Sequence, residues 1–196
     1  MGGVKEAVIR RFKTKEAVIG IVGLGYVGLP LLLRCCEVGF KTIGFDIDPE
    51  KIDMLGAGES FIQHVGSDRI AAAQSNFTAT TDFARISECQ AVILCVPTPL
   101  TKNRDPDLSY IIQTMSDVLP HLGKEGVAVS LESTTYPGTT EDILGKALNE
   151  AGHKIGSDVF LIYSPEREDP GRADFTTQSI PKLVAGHTSF CLKIGM

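Results

Sequence analysis

The sequence lacks the features that mark membrane, secreted and nucleic-acid-binding proteins. No run approaches the roughly 20 apolar residues needed to cross a bilayer, and no apolar stretch of a signal peptide follows the first residues. The net charge of -5 is spread along the chain without a long basic or acidic tract, which predicts no nucleic-acid partner. We therefore expect a cytoplasmic protein that binds small molecules and has no membrane association.

The five cysteines show no CxxC spacing, and most of them lie in apolar segments: Cys35, Cys36, Cys89, Cys95 and Cys191. This pattern is typical of reduced thiols in a protein core. No adjacent base or helix start marks any of them as a nucleophile. The sequence predicts no metal site.

Strand and helix patterns alternate along the 196 residues. Short apolar runs, typical of strands buried on both faces of a parallel sheet, occur at 17–22, 42–45, 91–96, 127–131 and 159–163. This alternation predicts an α/β fold of the Rossmann type, a doubly wound and mainly parallel sheet. We assign residues 15–190 to this domain, 1–14 to a basic N-terminal arm and 191–196 to the start of a following helical region.

Three helices are predicted between the strands. Two have apolar residues at i, i+3, i+4 and i+7, which would line one face of each helix: Leu29, Leu32, Leu33 and Cys36 in one, and Leu108, Ile111, Ile112 and Met115 in the other. Asp107 is placed to cap the second helix. For the third, Thr139 and Asp142 suggest a start resembling a capping box, and Gly152 marks its end.

A dinucleotide-binding motif follows the first predicted strand. Gly23, Gly25 and Gly28 form GxGxxG, in which the glycines permit a tight turn, close approach of a pyrophosphate and close packing of helix on strand. Asp46 ends the next strand, near the spacing expected for the acid that binds the adenosine ribose. Its charge would repel a 2′-phosphate, so NAD is predicted over NADP. Lys51 lies nearby, where it could contact the cofactor, pair with Asp48 or stay solvated.

Three later motifs join the glycine motif, and each follows a predicted strand. They are Cys95-Val-Pro-Thr98-Pro99, Glu132-Ser-Thr134-Thr-Tyr-Pro-Gly-Thr139 and Tyr163-Ser-Pro-Glu166-Arg167-Glu-Asp-Pro-Gly171. Together the four motifs resemble those of the UDP-sugar 6-dehydrogenases, a family that includes UDP-glucose and GDP-mannose dehydrogenases. The resemblance covers the chain from about Lys13. It is greatest to enzymes acting on UDP-N-acetylglucosamine, with those acting on UDP-N-acetylmannosamine next.

The resemblance implies oxidation of the sugar C6 alcohol to a uronate in two NAD-dependent steps, through an aldehyde and a thioester. It implies that Tyr26, Val27, Asp46 and Thr98 line the NAD site, while Lys51 is a candidate cofactor contact only by its position near Asp46. Thr134 would lie by the nicotinamide and hold a water, Glu166 would act as a base or proton carrier, and Arg167 would contact the UDP-sugar. Structural alternatives remain: Thr134 could only satisfy backbone at a strand end, and Glu166 with Arg167 could form a loop salt bridge.

The family's nucleophilic cysteine and catalytic lysine belong, by the same resemblance, to a later region that these residues do not include. We therefore expect the chain alone to be inactive and the full-length relative to be a homo-oligomer. Two other interpretations stay open at this point. One is a hydroxyacid dehydrogenase of the 6-phosphogluconate type, and the other is a non-catalytic module for NAD binding or subunit association.

Overall fold

A seven-stranded sheet forms the centre of the protein in the computed structural model, which describes residues 3–165 and 181–196. The strand order is β3-β2-β1-β4-β5-β6-β7. The first six strands of this order are parallel and β7 is antiparallel to β6. The strands are β1 (Val18–Val22), β2 (Lys41–Phe45), β3 (Phe77–Thr80), β4 (Ala91–Leu94), β5 (Val127–Leu131), β6 (Val159–Tyr163) and β7 (Ala185–Gly186). The predicted doubly wound, mainly parallel sheet is confirmed.

Helices cover both faces of this sheet. They are α1 (Val4–Lys13), α2 (Gly28–Glu37), α3 (Pro49–Gly56), α4 (Ser67–Ala73), α5 (Ser109–Val118), α6 (Lys146–Glu150) and α7 (Ser189–Gly195). Short 3-10 segments lie at Phe83–Glu88 and Leu119–His121, and a π-helical segment at Thr140–Gly145 leads into α6. Among the helices of residues 3–165 and 181–196, none has the length and apolar character required to span a membrane.

The functional edge of the sheet is set by the position of β1. This strand pairs with β2 on one side and β4 on the other, with Val22 opposite both Phe45 and Leu94. The chain first builds the sheet in one direction, through β2 and β3, and then in the other, from β4 to β6. Ligands of open α/β sheets bind beyond the carboxyl ends of the strands at such a reversal. The switch point here lies between β1 and β4.

Two apolar layers enclose the sheet. On one face, Leu29, Leu32 and Leu33 of α2 are buried against residues that include Ile21 of β1. On the other face, Ile111 and Met115 of α5 belong to a cluster with strand residues of β2, β4, β5 and β6. The predicted inner face of α2 is therefore confirmed. The predicted inner face of α5 is wrong at one residue, because Ile112 is 54% exposed and projects away from this core.

The predicted strand bounds and helix caps agree with the structure only in part. The strand bounds agree to within two residues, but β3 was not predicted, since its sequence Phe77-Thr-Ala-Thr80 has no continuous apolar run. Asp107 does accept a hydrogen bond from the Ser109 backbone N–H at 2.9 Å. The prediction of a capping box at Thr139 is wrong. The Thr139 hydroxyl donates to the Tyr136 carbonyl at 2.9 Å, and the helical segment begins with π-type turns.

The basic arm is an ordered helix that packs on the domain. Val8 of α1 is 2% exposed and belongs to a small apolar cluster with Phe160 of β6 and Cys191 of α7. Lys5 lies over the ring of Phe190, with 4.7 Å between its Nζ and the ring centroid. The arm therefore contributes to the core at the β6 side of the sheet.

The cysteines lie mainly in the core, as predicted. Cys36, Cys89, Cys95 and Cys191 are buried and Cys35 is partly buried. Burial raises the pKa of Cys35 to about 12, with a further contribution from Cys36, and burial likewise raises the pKa of Cys89 to about 12. Such thiols remain protonated at neutral pH, which makes them poor nucleophiles.

Candidate functional site

The glycine turn between β1 and α2 is shaped for close approach of a ligand. Gly23 has a φ of +89°, a left-handed conformation that glycine adopts without strain. A Cβ at Gly28 would collide with the carbonyl oxygen of Gly23, so helix and turn could not pack as they do. A Cβ at Gly25, in contrast, would meet no protein atom within 4 Å. The second glycine therefore faces open space, where the motif requires room for a pyrophosphate.

Asp46 is held at the end of β2 by the glycine turn itself. Its Oδ2 accepts a hydrogen bond from the Leu24 backbone N–H at 2.8 Å, and its Oδ1 accepts one from the Asp48 N–H at 3.1 Å. The residue is only 6% exposed. These contacts fix the carboxylate beside the turn, at the position where a ribose diol would donate to it.

Lys51 pairs with Asp46 and not with Asp48. Its Nζ lies 3.3 Å from Asp46 Oδ2, and about a third of the lysine side chain remains exposed. Asp48 instead caps α3, since its carboxylate accepts from the Glu50 N–H at 3.0 Å. The pairing with Asp48 considered from the sequence is therefore wrong. Lys51 places a positive charge at the ribose end of the site, beside the acid.

A cleft with a volume of about 530 Å³ opens above the switch point. Its walls come from the glycine turn, the ends of β2, β4 and β5, and one face of α5. Such a volume is typical of small-molecule and cofactor sites. The residues predicted for the site that line it are Gly23, Gly25, Tyr26, Val27, Asp46, Lys51, Thr98 and Thr134.

Two hydrogen bonds join the motif segments after β4 and β5. The Thr98 hydroxyl donates to the Thr134 carbonyl at 2.6 Å, and the Ser133 hydroxyl donates to the Val96 carbonyl at 2.5 Å. Residues 95–98 and 132–134 are therefore held side by side at the end of the cleft away from Asp46. The segments are far apart in sequence, so only the parallel pairing of β4 with β5 brings them together.

The remaining predicted residues fall into two groups. Gly28 serves packing beneath the turn and does not line the cleft. Glu166 and Arg167 lie outside the described residues.

Several residues that line the cleft were not predicted from the sequence, namely Ile47, Phe83, Tyr110, Gln113, Thr114 and Asp117. Four of these belong to α5, where a periodicity of polar residues opposite the apolar face could have indicated a second functional face.

A buried ion pair stands beside the Thr134 segment. Glu132 is 4% exposed, and its carboxylate accepts hydrogen bonds from Lys182 Nζ and, at 3.2 Å, from the Ser130 hydroxyl. Because an unpaired buried carboxylate is strongly unfavourable, Lys182 stabilises the end of β5 in this conformation. Glu132 also borders a second, largely apolar cavity of about 540 Å³ that contains none of the glycine turn. Glu132 therefore borders both the cleft and this second cavity, which Lys182 also lines.

The residues of the cleft fit a bound dinucleotide. The open space at Gly25 would admit phosphates next to the start of α2, and Asp46 is hydrogen-bonded to that turn, where the acid of this motif binds a ribose. Among the residues that the structure describes, no cluster of three or more His, Cys, Asp or Glu side chains is arranged to hold a metal ion. The arrangement defines a Rossmann domain that binds a dinucleotide cofactor.

Residues 17–193 match the model of the UDP-glucose/GDP-mannose dehydrogenase family, NAD binding domain. The chain belongs to this family, and its cofactor is NAD. The hydroxyacid dehydrogenase alternative is therefore wrong.

Characterised relatives include enzymes for two sugars. The chain is 35% identical, over 177 residues, to UDP-N-acetyl-D-glucosamine 6-dehydrogenase of Pseudomonas aeruginosa, covering 89% of this chain and 41% of the relative. It is 34% identical, over 160 residues, to UDP-N-acetyl-D-mannosamine dehydrogenase of Pyrococcus horikoshii, covering 79% and 37%. The chain thus spans about two fifths of the length of these relatives.

Solved structures of nucleotide-sugar dehydrogenases also resemble this chain. An NDP-N-acetyl-D-galactosaminuronic acid dehydrogenase from Methanosarcina mazei superposes with a TM-score of 0.84 at 31% identity, covering 99% of this chain and 43% of that one. The UDP-N-acetyl-mannosamine dehydrogenase of Staphylococcus aureus superposes with a TM-score of 0.81 at 29% identity, covering 91% and 43%. The described fold is therefore that of the NAD-binding domain in nucleotide-sugar dehydrogenases.

Proposed function

We propose that this chain is the cofactor-binding part of a UDP-N-acetylhexosamine 6-dehydrogenase that converts UDP-N-acetylglucosamine to its uronate. The observation that carries the proposal is the continuous cleft in which the glycine turn and Asp46 form one end and the joined Thr98 and Thr134 segments form the other. The identity to the Pseudomonas aeruginosa enzyme supports the choice of sugar. UDP-N-acetylmannosamine is the second candidate, supported by the Pyrococcus horikoshii relative.

Each part of the cleft has a task in this proposal. Gly23, Gly25 and the start of α2 hold the phosphates, Asp46 with Lys51 holds the adenosine ribose, and Tyr26, Val27 and Thr98 border the cofactor. Bound there, NAD would supply the hydride acceptor for oxidation at the C6 carbon of the sugar. Thr134 lies at the opposite end of the cleft from Asp46, where its hydroxyl would orient a water for thioester hydrolysis.

Two further residues complete the proposed chemistry. Glu166 would act as base or proton carrier for that water, since a carboxylate can remove its proton. Arg167 would bind the UDP-sugar, because a guanidinium forms paired hydrogen bonds with phosphate or carboxylate. A covalent thioester needs a thiolate, and the pKa of about 12 at Cys35 and Cys89 argues against these two thiols as its source.

A domain exchange tests the proposal. Residues 17–193 would replace the matching domain in the Pseudomonas aeruginosa and Pyrococcus horikoshii relatives, and NADH formation would be followed with each relative's own sugar substrate. We expect two NADH per UDP-N-acetylglucosamine from the first chimera and slower turnover from the second. The same chimeras carrying Gly25→Val are the matched controls and should be inactive.

The outcomes separate the alternatives. A folded chimera that binds NAD but oxidises neither UDP-sugar would contradict the enzymatic role and favour a non-catalytic NAD-binding module. Turnover only in the Pyrococcus horikoshii background would move the assignment to UDP-N-acetylmannosamine. Equal turnover in both backgrounds would show that this domain does not select the epimer.

A further inference from the structure

Helix α5 presents a polar pair to the cleft that the proposed function does not use. Gln113 and Asp117 are one helical turn apart and both line the cavity. Gln113 Nε2 donates to Asp117 Oδ1 at 3.0 Å. Because a carboxylate only accepts, the amide nitrogen must face Asp117, so the pair offers a ligand the amide oxygen and the second carboxylate oxygen. Towards the cleft, it is a pair of acceptors.

Helix α5, which carries the pair, contacts the 3-10 segment Phe83–Glu88, so the pair borders the part of the cleft that Phe83 lines. With phosphates at the glycine turn and the adenosine ribose at Asp46, the adenine would lie on the far side of Asp46 from the Thr98 and Thr134 segments. Ile47, which is 80% exposed, and Phe83 provide apolar surface there, suited to the faces of a planar ring. This step rests on the proposed role of Asp46.

We propose that Gln113 and Asp117 recognise the 6-amino group of the adenine in NAD and make the chain selective for adenine over hypoxanthine. The amino group of adenine donates two hydrogen bonds, which match two acceptors on one helix face. Hypoxanthine carries a carbonyl oxygen at the same position. This oxygen is an acceptor, so the Asp117 carboxylate oxygen that faces it would have no donor. Sites that hydrogen-bond a ligand group reject analogues without that group, because their own polar atoms then lose a partner.

The test compares NAD with nicotinamide hypoxanthine dinucleotide, in which a carbonyl replaces the 6-amino group of the base and the adjacent N1 carries a hydrogen. Titration calorimetry on the 196-residue chain should give affinity for NAD about tenfold to a hundredfold higher, as expected for loss of a hydrogen bond to a charged group. In Asp117→Asn, the amide can turn its NH₂ towards a carbonyl, so the preference should fall to near one. Gln113→Leu should reduce it as well.

Glu150→Gln is the matched control. Glu150 ends α6, where it forms an exposed pair with Lys146 at 3.9 Å outside the cleft. The substitution removes one negative charge, as Asp117→Asn does, and should leave the preference for NAD unchanged. Circular dichroism of each variant checks that the helices are intact, and Gln113→Leu provides a second reading if Asp117→Asn fails to fold.

Equal affinity of the unmodified chain for the two dinucleotides would overturn the inference. A preference for NAD that persists in both Asp117→Asn and Gln113→Leu would also overturn it, since another group would then recognise the base. Absence of NAD binding would overturn both this inference and the proposed cofactor site. NAD selectivity that depends on Asp117, combined with inactive chimeras, would support the inference and count against the proposed enzymatic function alone.

Discussion

Replacing Asp46 with alanine should weaken NAD binding and relax the preference for NAD over NADP. The carboxylate is nearly buried and is oriented by the Leu24 and Asp48 N–H groups at 2.8 and 3.1 Å. Its removal eliminates a charged acceptor for the ribose hydroxyls, and such hydrogen bonds contribute about 1.5 to 3 kcal/mol. Because about 1.4 kcal/mol corresponds to a factor of ten, we expect roughly a tenfold to hundredfold loss of NAD affinity.

The same substitution should raise the relative affinity for NADP. The repulsion between Asp46 and a 2′-phosphate disappears, and Lys51, now 3.3 Å from the carboxylate, becomes available to the phosphate. The Leu24 N–H would also lose its acceptor in a buried turn, which costs about 1 to 3 kcal/mol of unfolding free energy. Affinity and stability should therefore change together in this variant.

Asp48→Ala separates the two effects. It removes the cap of α3, which should cost about 1 kcal/mol of stability, but Asp48 does not line the cleft. Titration calorimetry with NAD and NADP, together with urea denaturation, measures both quantities for both variants. Unchanged NAD affinity in Asp46→Ala, or an equal loss in Asp48→Ala, would refute the assignment of Asp46 to the ribose.

Three further predictions concern the turn, the thiols and turnover. Gly25→Val should abolish NAD binding in a calorimetric titration while the circular dichroism spectrum is retained, because the new side chain fills the open space at the turn; retained binding would place the phosphates elsewhere. Cys35 and Cys89, with pKa values of about 12, should resist alkylation at pH 8 in the native state and react in urea; rapid native labelling at either, located by mass spectrometry, would contradict their burial. The chain alone, given UDP-N-acetylglucosamine and NAD, should produce no sustained NADH absorbance, since covalent catalysis needs an accessible thiolate and four of the five thiols are buried while the fifth is partly buried; steady formation of two NADH per sugar would refute this, and Cys95 would be the first residue to replace.

The parts of the site that sequence predicts well are those with a local cause. Gly23 needs a left-handed turn and Gly28 needs the absence of a Cβ, so both requirements are visible as glycines at fixed spacing. Asp46 follows from its distance after the motif and the end of a buried strand. The sequence of β3 shows no comparable local signal, because an edge strand with partly exposed threonines needs no continuous apolar run.

The amino-acid sequence by itself determined the alternation of strands and helices, the glycine turn and the acid that follows it, since each depends on interactions within a few residues of the chain. Only the tertiary structure decided which distant residues share the cleft. The pairing of β4 with β5 joins Thr98 to Thr134, and the packing of α5 brings Gln113 and Asp117 to the same cavity as Asp46. The partner of Lys51 was decided in the same way: the fold around the end of β2 fixes the Asp46 carboxylate within reach of the lysine and commits that of Asp48 to capping α3.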